Sequence, residues 1–172
     1  MATFFLKIKR KQNVKVMQIG DSHVRGNILP NTLERTLKQY FPKLSFAYYG
    51  INGAWAKRFY EQDIINRIAS EHPDLVVVSF GTNEAHGAAL NESVHAQTMR
   101  TLMTRIRERC PKVQFLFTTP PGSFITRRTR TGRRGRRTIY ATTRVANANT
   151  GKVARSIISF CHNNKAAVWD IY

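Results

Sequence analysis

Five apolar segments alternate with helical patterns along this 172-residue chain, and this alternation is what most constrains its fold. The segments are rich in Val, Ile, Phe and Tyr, and the third, 75–80, is nearly continuous. Continuous apolar strands are typical of a parallel sheet that is covered on both faces. The predicted strands are 14–19, 44–49, 75–80, 113–118 and 166–171, and the predicted helices are 31–41, 57–70, 91–109 and 150–163.

This β-α-β order predicts a single doubly wound α/β domain over residues 1–172, with helices on both faces of the sheet. Hydrophobic residues make up 42% of the chain, which is enough for a real core. Asn31 with Glu34, and Asn91, fit the caps of two of the helices. The apolar stripes of all four helices are interpreted as core packing.

The charge is strongly positive, with a net value of +18, and it is concentrated in one segment. Seven of the eleven residues of 127–137 are arginine, within a predicted basic loop insertion at 124–144. The excess favours contact with polyanions. Three interpretations stay open for Arg127–Arg137: a solvated loop, an anion-binding loop beside the carboxyl edge of the sheet, and a nucleic-acid arm. No aromatic platform or RNA-binding motif accompanies the third.

Several other classes are disfavoured by the sequence. Cys110 and Cys161 have no metal-ligand spacing and are expected to be small buried residues without a disulfide. At the N-terminus the apolar piece is short and the charges follow it, so no signal peptide is predicted. No apolar run approaches the roughly 20 residues of a membrane helix. The sequence as written therefore predicts a soluble, cytoplasmic chain.

Three polar segments follow the first three predicted strands. Gly20-Asp21-Ser22 ends the first, Gly53 follows the second, and Gly81-Thr82-Asn83-Glu84 ends the third. In a flavodoxin-like order, 2-1-3-4-5, these strands are neighbours, so the segments would converge on one cleft. Ser22 is then a candidate nucleophile, with Gly53 N–H and the Asn83 amide as oxyanion donors. Taken singly, Ser22 and Asn83 also fit helix caps, and Gly53 fits an ordinary turn.

These residues resemble the SGNH hydrolases, also called GDSL esterases/lipases, and the resemblance covers nearly the whole chain. Ile19–His23 resembles the first block of the family, Gly50–Ala54 the second and Gly81–Glu84 the third. The strand endings Thr119–Ser123 and Trp169–Tyr172 are similar to those of a bacterial branch.

The resemblance implies a three-layer α/β/α fold with a five-stranded parallel sheet and ester hydrolysis through an acyl-serine. It gives Ser22 the role of nucleophile, and it gives the backbone N–H groups of Ser22 and Gly53 and the Asn83 amide the oxyanion hole. It implies acyl or acetyl esters of lipids, glycans or small molecules as substrates, and no metal or organic cofactor. Members of the family are often secreted.

The fourth signature of the family, an Asp and a His three residues later, is not matched. The sequence ends at Tyr172, and Asp170 belongs to the end of the last strand. We therefore expect the catalytic loop and last helix to lie beyond it, and a chain that ends there to be inactive. His23 neighbours Ser22 on extended backbone, so its side chain is expected to point away. His86 is a weak substitute, and His72, His95 and His162 are predicted surface residues.

Two functional hypotheses follow. The first is a serine esterase that acts on a small-molecule or glycan ester. The alternative is a non-catalytic module that binds an anionic polymer through Arg127–Arg137. The sequence leaves the substrate and the oligomeric state open.

Overall fold

The structure is a computed structural model that describes residues 1–87, 90–135 and 137–172. Its main sheet has five parallel strands: β1 (Val14–Gly20), β2 (Leu44–Gly50), β3 (Leu75–Ser79), β4 (Gln114–Thr118) and β7 (Ala167–Trp169). Their order is β2-β1-β3-β4-β7. The predicted order 2-1-3-4-5 is confirmed, with β7 as the fifth strand of the sheet.

The register of the sheet brings the ends of its first three strands to one level. Gly20 at the end of β1 pairs with Gly50 of β2 on one side and with Ser79 of β3 on the other. Because all three strands run in the same direction, the segments that follow them leave from one edge. The three segments that carry the predicted site residues therefore leave from one edge of the sheet.

The helices are α1 (Ala2–Lys9), α2 (Ser22–Arg25), α3 (Ile28–Tyr40), α4 (Gln62–Ser70), α5 (Thr82–His86), α6 (Glu92–Arg109) and α7 (Ala148–Asn163), with a 3-10 helix at Ala56–Tyr60. The four predicted helices are found, and α1, α2 and α5 are additional. The cap at Asn91 is confirmed, since its side chain accepts a hydrogen bond from Val94 N–H. The cap at Asn31 is wrong, because α3 begins three residues earlier and Asn31 lies inside it.

The core lies on both faces of the sheet, as expected for three layers. On one face Met17, Ile19 and Val78 pack with α4, α6, α7 and the 3-10 helix. On the other face Val16 and Val77 pack with α1 and α3. Cys161 is buried, Cys110 is partly buried, and both are free thiols. Of the helices described, none has the length and apolar character to cross a membrane.

The arginine-rich segment, for which the composition predicts a loop, forms an antiparallel hairpin. Its strands are β5 (Phe124–Arg134) and β6 (Arg137–Ala146), and they form a separate two-stranded sheet between β4 and α7. Arg136, which falls in the predicted basic segment, lies outside the described residues.

Candidate active site

Ser22 lies where β1 ends, as the first residue of the short helix α2. Asp21 precedes it as the N-cap, and one of its carboxylate oxygens, Oδ1, accepts a 2.9 Å hydrogen bond from His23 N–H. This capping bond fixes the turn and leaves the Ser22 side chain exposed. Asp21 itself is only 2% exposed. A buried carboxylate thus supports the backbone that presents an exposed hydroxyl.

The end of β2 lies directly against this turn, and Gly50 makes the approach possible. A Cβ at Gly50 would collide with the backbone N of Arg25 and lie 2.7 Å from the backbone O of Asp21. Glycine is therefore required here for space. The sequence placed Gly50 in a family motif without giving it this role.

The Asn83 side chain joins the three segments. Its amide nitrogen donates to Asp21 Oδ2 at 3.3 Å and to the backbone O of Ala54 at 3.0 Å. Asp21 precedes Ser22, and Ala54 follows Gly53. The predicted site residues are thus brought together through their immediate neighbours, and both protons of the Asn83 amide have partners.

Gly53 lies on the exposed turn after β2. Its φ is +69°, a left-handed conformation that favours glycine. A Cβ at Gly53 would meet nothing within 4 Å. The turn therefore requires glycine for its backbone conformation and not because a side chain would lack space. Within the described part of the chain, the backbone N–H groups of Ser22 and Gly53 donate to no protein acceptor. Gly53 lines a shallow depression with Trp55 and Arg58, beside the Ser22 cleft and not within it.

Ser22 opens into a cleft of about 590 Å³ at the carboxyl edge of the sheet. Its walls come from the ends of β1, β3 and β4 and from α3, and most of them are apolar. They include Ile28, Leu29, Phe80, Pro120, Pro121 and Ile171. An apolar wall beside an exposed hydroxyl suits an acyl group whose carbonyl faces that hydroxyl.

The histidines fall into different environments. His23 lines the same cleft as Ser22, half-exposed, with Nδ1 at 3.0 Å from Asp21 Oδ1. The expectation that it points away on extended backbone is wrong, because Ser22–Arg25 is helical. His86 is exposed at the end of α5. The prediction that His95 is a surface residue is wrong: it is 5% exposed, its Nδ1 lies 2.9 Å from Ser156 Oγ, and burial lowers its pKa to about 4.

Glu84 is a structural residue of the site whose role could not be predicted from the motif that contains it. It is 8% exposed, and its Oε1 accepts a 2.9 Å hydrogen bond from Ala56 N–H. Burial raises the pKa of Glu84, an effect that the bond from Ala56 opposes. Glu84 thereby joins the third motif to the chain that follows Gly53.

No group of three or more His, Cys, Asp or Glu side chains in the described ranges could hold a metal ion. The cleft is lined by the Ser22 hydroxyl, the His23 imidazole and the buried Asp21 carboxylate, whereas Asn83 and Gly53 do not line it.

A family model describing the GDSL-like lipase/acylhydrolase family matches residues 18–172, which is most of the chain. The chain belongs to the GDSL-like lipase/acylhydrolase family. This membership places it among carboxylic ester hydrolases, and the parallel sheet with flanking helices is the SGNH hydrolase fold.

Solved structures of similar fold agree with the family. One, described as a peptidoglycan O-acetylesterase in action, has a TM-score of 0.76 at 12% identity and covers 98% of this chain and 82% of its own. The lipase/acylhydrolase from Enterococcus faecalis has a TM-score of 0.62 at 18% identity, covering 92% and 76%. The periplasmic domain of a lipopolysaccharide acetyltransferase from Salmonella ser. Paratyphi A has a TM-score of 0.66 at 12% identity, covering 99% and 71%. No curated protein matches the chain in sequence.

Proposed function

We propose that this protein is a serine esterase that hydrolyses acyl or acetyl esters, including esters carried on a glycan, through an acyl-serine intermediate. The observation that carries the proposal is the position of Ser22. Its hydroxyl is exposed in an apolar cleft at the end of β1, on a turn held by the buried carboxylate of Asp21. A strand end of this kind is where open α/β sheets bind ligands.

In the proposed reaction, Ser22 Oγ bonds to the ester carbonyl carbon while its proton passes to a general base. The electron pair of the carbonyl π bond moves to oxygen and forms the oxyanion. When the carbonyl re-forms, the C–O bond to the alcohol breaks and the alcohol takes the proton from the base. Water then attacks the acyl-serine in the same way, which releases the acid and restores the Ser22 hydroxyl. The family resemblance gives the role of base to a histidine after the last strand of the sheet.

Three donors are proposed for the oxyanion. The N–H groups of Ser22 and Gly53 have no protein acceptor within the described ranges. The Asn83 amide is held at the same edge by Asp21 and Ala54. Of its two bonds, the one to Asp21 is longer, so we propose that this N–H turns toward the oxyanion as charge develops there.

A glycan ester is proposed as a substrate because the peptidoglycan O-acetylesterase shares the fold over nearly the whole chain. An acetyl group is small enough for the cleft beside Ser22. The apolar walls formed by Pro120, Phe80 and Leu29 would contact its methyl group and leave the alcohol portion at the open side.

The test is hydrolysis of p-nitrophenyl acetate by a wild-type protein that includes the histidine-bearing loop proposed to follow the last strand of the sheet, and by two serine variants of it. Ser22→Ala should lose at least about 10⁴-fold in kcat, because it removes the nucleophile. Ser93→Ala, which changes an exposed serine on α6, should retain wild-type kcat. Wild-type hydrolysis that persists in Ser22→Ala would overturn the proposal.

A second candidate function is a non-catalytic module that binds an anionic polymer, and the arginine-rich hairpin favours it. This function predicts that the wild-type protein binds such a polymer while hydrolysing none of its esters. Wild-type hydrolysis that is abolished by Ser22→Ala would eliminate it.

A further inference from the structure

The arginine-rich hairpin, residues 124–146, is here called the ribbon. Its base is closed on itself and tied to α5. Asn147 N–H donates to the backbone O of Ser123 at 2.8 Å, and the Asn147 side chain donates to the backbone O of Ala85 at 3.0 Å. Ala85 lies on α5, the helix that carries Asn83. On the other side, Pro120 and Pro121 line the cleft shortly before the ribbon begins. The ribbon therefore extends from the rim of the catalytic edge.

The register gives the ribbon two different faces. Residues directly opposite each other share a face, and faces alternate along each strand. Arg128 pairs with Thr142, Arg130 with Tyr140, Arg133 with Thr138 and Thr126 with Arg144. An irregularity between Arg130 and Gly132 restores Arg133 to the same side. One face, here called the cationic face, thus carries Arg128, Arg130, Arg133 and Arg144, whereas the opposite face carries Ile125, Ile139, Ala141 and Val145 with Arg127 and Arg137.

The cationic face places exposed aromatic rings beside guanidinium groups. The Arg128 guanidinium lies over the Tyr140 ring, 4.8 Å from its centroid. Tyr140 and Phe124 on this face are 49% and 63% exposed, so they present aromatic surface beside the guanidinium groups. Arg128 and Arg130 are two residues apart, which separates them by about 7 Å along the strand.

The charge of the ribbon arginines that the structure describes is not neutralised by carboxylates of the protein. The sequence contains no Asp or Glu between Glu108 and Asp170. None of the described ribbon arginines forms an ion pair with a carboxylate. The ribbon contains eight arginines and no lysine. Arginine presents a planar fork of donors that binds carboxylates in a bidentate manner, which lysine cannot do.

We propose that the cationic face of the ribbon binds an anionic polysaccharide and thereby delivers the esters on that polymer to Ser22. This proposal rests on the proposed function for the identity of the reacting group. A polymer bound along the ribbon would reach the cleft at its base, because Pro120 and Pro121, which line the cleft, precede the ribbon, and Asn147 ties the base to α5.

A carboxylate-bearing glycan fits these observations better than a nucleic acid. The family hydrolyses carboxylic esters, and acylated sugars carry such esters on their hydroxyls, whereas the nucleic-acid backbone is linked by phosphodiesters. Tyr140 and Phe124 place exposed aromatic rings beside the arginines, which the sequence analysis did not expect, and such rings can pack against the apolar faces of sugar rings. They can also stack on bases, so a single-stranded nucleic acid is the competitor that the test includes.

The binding test uses partly O-acetylated polygalacturonate and the same polymer with its carboxylates reduced to alcohols. At about 0.15 M salt, wild-type protein should bind the acidic polymer, and the reduced polymer should bind at least about tenfold more weakly. Single-stranded DNA is the competing polyanion. Equal binding of the reduced polymer, or tighter binding of DNA, would overturn the proposal.

A pair of charge-matched variants tests the cationic face itself. Arg128→Gln with Arg130→Gln should weaken binding of the acidic polymer about tenfold, because two charge-assisted contacts are lost. Arg127→Gln with Arg137→Gln removes the same charge from the opposite face and should weaken binding less than about threefold. Equal losses would contradict the proposal. The circular dichroism spectrum checks that the ribbon fold is retained in both.

Catalysis separates this proposal from the proposed function. In the Arg128/Arg130 variant, the ratio of kcat/KM on the acetylated polymer to kcat/KM on p-nitrophenyl acetate should fall about tenfold, with the loss mainly in KM. In the Arg127/Arg137 variant the ratio should be unchanged, and an equal fall there would contradict the proposal. A failure of the proposed function has a different signature. In that case Ser22→Ala would still hydrolyse p-nitrophenyl acetate, and this result does not depend on which polymer the ribbon binds.

Discussion

Asn83 donates a 3.3 Å hydrogen bond from its side-chain amide to Oδ2 of Asp21, the residue immediately before Ser22. The other carboxylate oxygen of Asp21 accepts the N–H that caps α2. One buried carboxylate therefore sets both the turn that exposes Ser22 and the position of the amide proposed to face the oxyanion. The edge of the sheet around Ser22 is therefore one hydrogen-bonded unit, and several measurements can test the role proposed for it.

Removal of the Asn83 amide should reduce the rate of the chemical step. Asn83→Ala removes a proposed oxyanion donor, so we expect kcat on p-nitrophenyl acetate to fall about 10²–10³-fold with KM changed only a few-fold. Asn52→Ala, at an exposed position beside Gly53, is the matched control and should retain wild-type kcat. A loss in Asn83→Ala no greater than that in Asn52→Ala would exclude the amide from the oxyanion hole.

The close contact at Gly50 should make even a small side chain destabilising there. Gly50→Ala places a Cβ against the backbone of Arg25 and Asp21, so we expect a loss of about 1–3 kcal/mol in the free energy of unfolding. The measurement is urea denaturation. Gly122→Ala is the control, because a Cβ at Gly122 meets nothing within 4 Å. Equal stabilities of the two variants would contradict the packing described for α2 on β2.

Buried His95 should make the protein less stable in mild acid. Its pKa is lowered to about 4 in the folded state from 6.5, so between these values the unfolded chain binds a proton that the folded chain excludes. Above pH 6.5 His95 is neutral in both states and does not reduce the stability. As pH falls from 6.5 toward 4, protonation of His95 in the unfolded chain favours unfolding, so the free energy of unfolding decreases. The loss amounts to about 1 kcal/mol per pH unit.

The measurement is the free energy of unfolding at pH 7 and pH 5 for the wild type and His95→Gln. The glutamine can still bond to Ser156 but does not titrate, so the variant should lose less stability between the two pH values. His72→Gln, at an exposed turn, should behave as the wild type does. If His95→Gln shows the same pH dependence of the free energy of unfolding as the wild type, the lowered pKa of buried His95 would be contradicted.

Much of the fold was predictable because it depends on local periodicity. The apolar strands and the 3.6-residue helical stripes predicted the five strands and four of the helices, whereas the strand order came from the flavodoxin-like fold that the family resemblance implies. The same periodicity could have placed His95 in the core, because His95 lies four residues before Met99 on the buried stripe of α6. We predicted a surface position because its side chain is polar.

The hairpin was missed for a different reason. Thr126, Thr129, Ile139, Tyr140 and Val145 are typical strand residues, and glycines lie near the tip. Charge dominated the interpretation of the segment, although charged side chains on the exposed faces of a ribbon do not oppose strand formation.

The connections within the site could not be predicted from sequence, because they join residues far apart in the chain. Asn83 contacts Asp21 across 62 positions and Ala54 across 29. Motif spacing placed these segments at one edge of the sheet. Only the structure identified the buried carboxylate that joins them and the contact that requires Gly50.

The most direct test of the account is covalent trapping of the nucleophile. The protein is treated with a fluorophosphonate, its hydrolysis of p-nitrophenyl acetate is followed in the same sample, and the modified peptide is mapped by mass spectrometry. If Ser22 is the nucleophile, one phosphonylated residue, Ser22, should be found, and its modification should proceed in step with the loss of activity. Full loss of activity with the label on another residue, or full hydrolysis by Ser22→Ala, would contradict this role of Ser22.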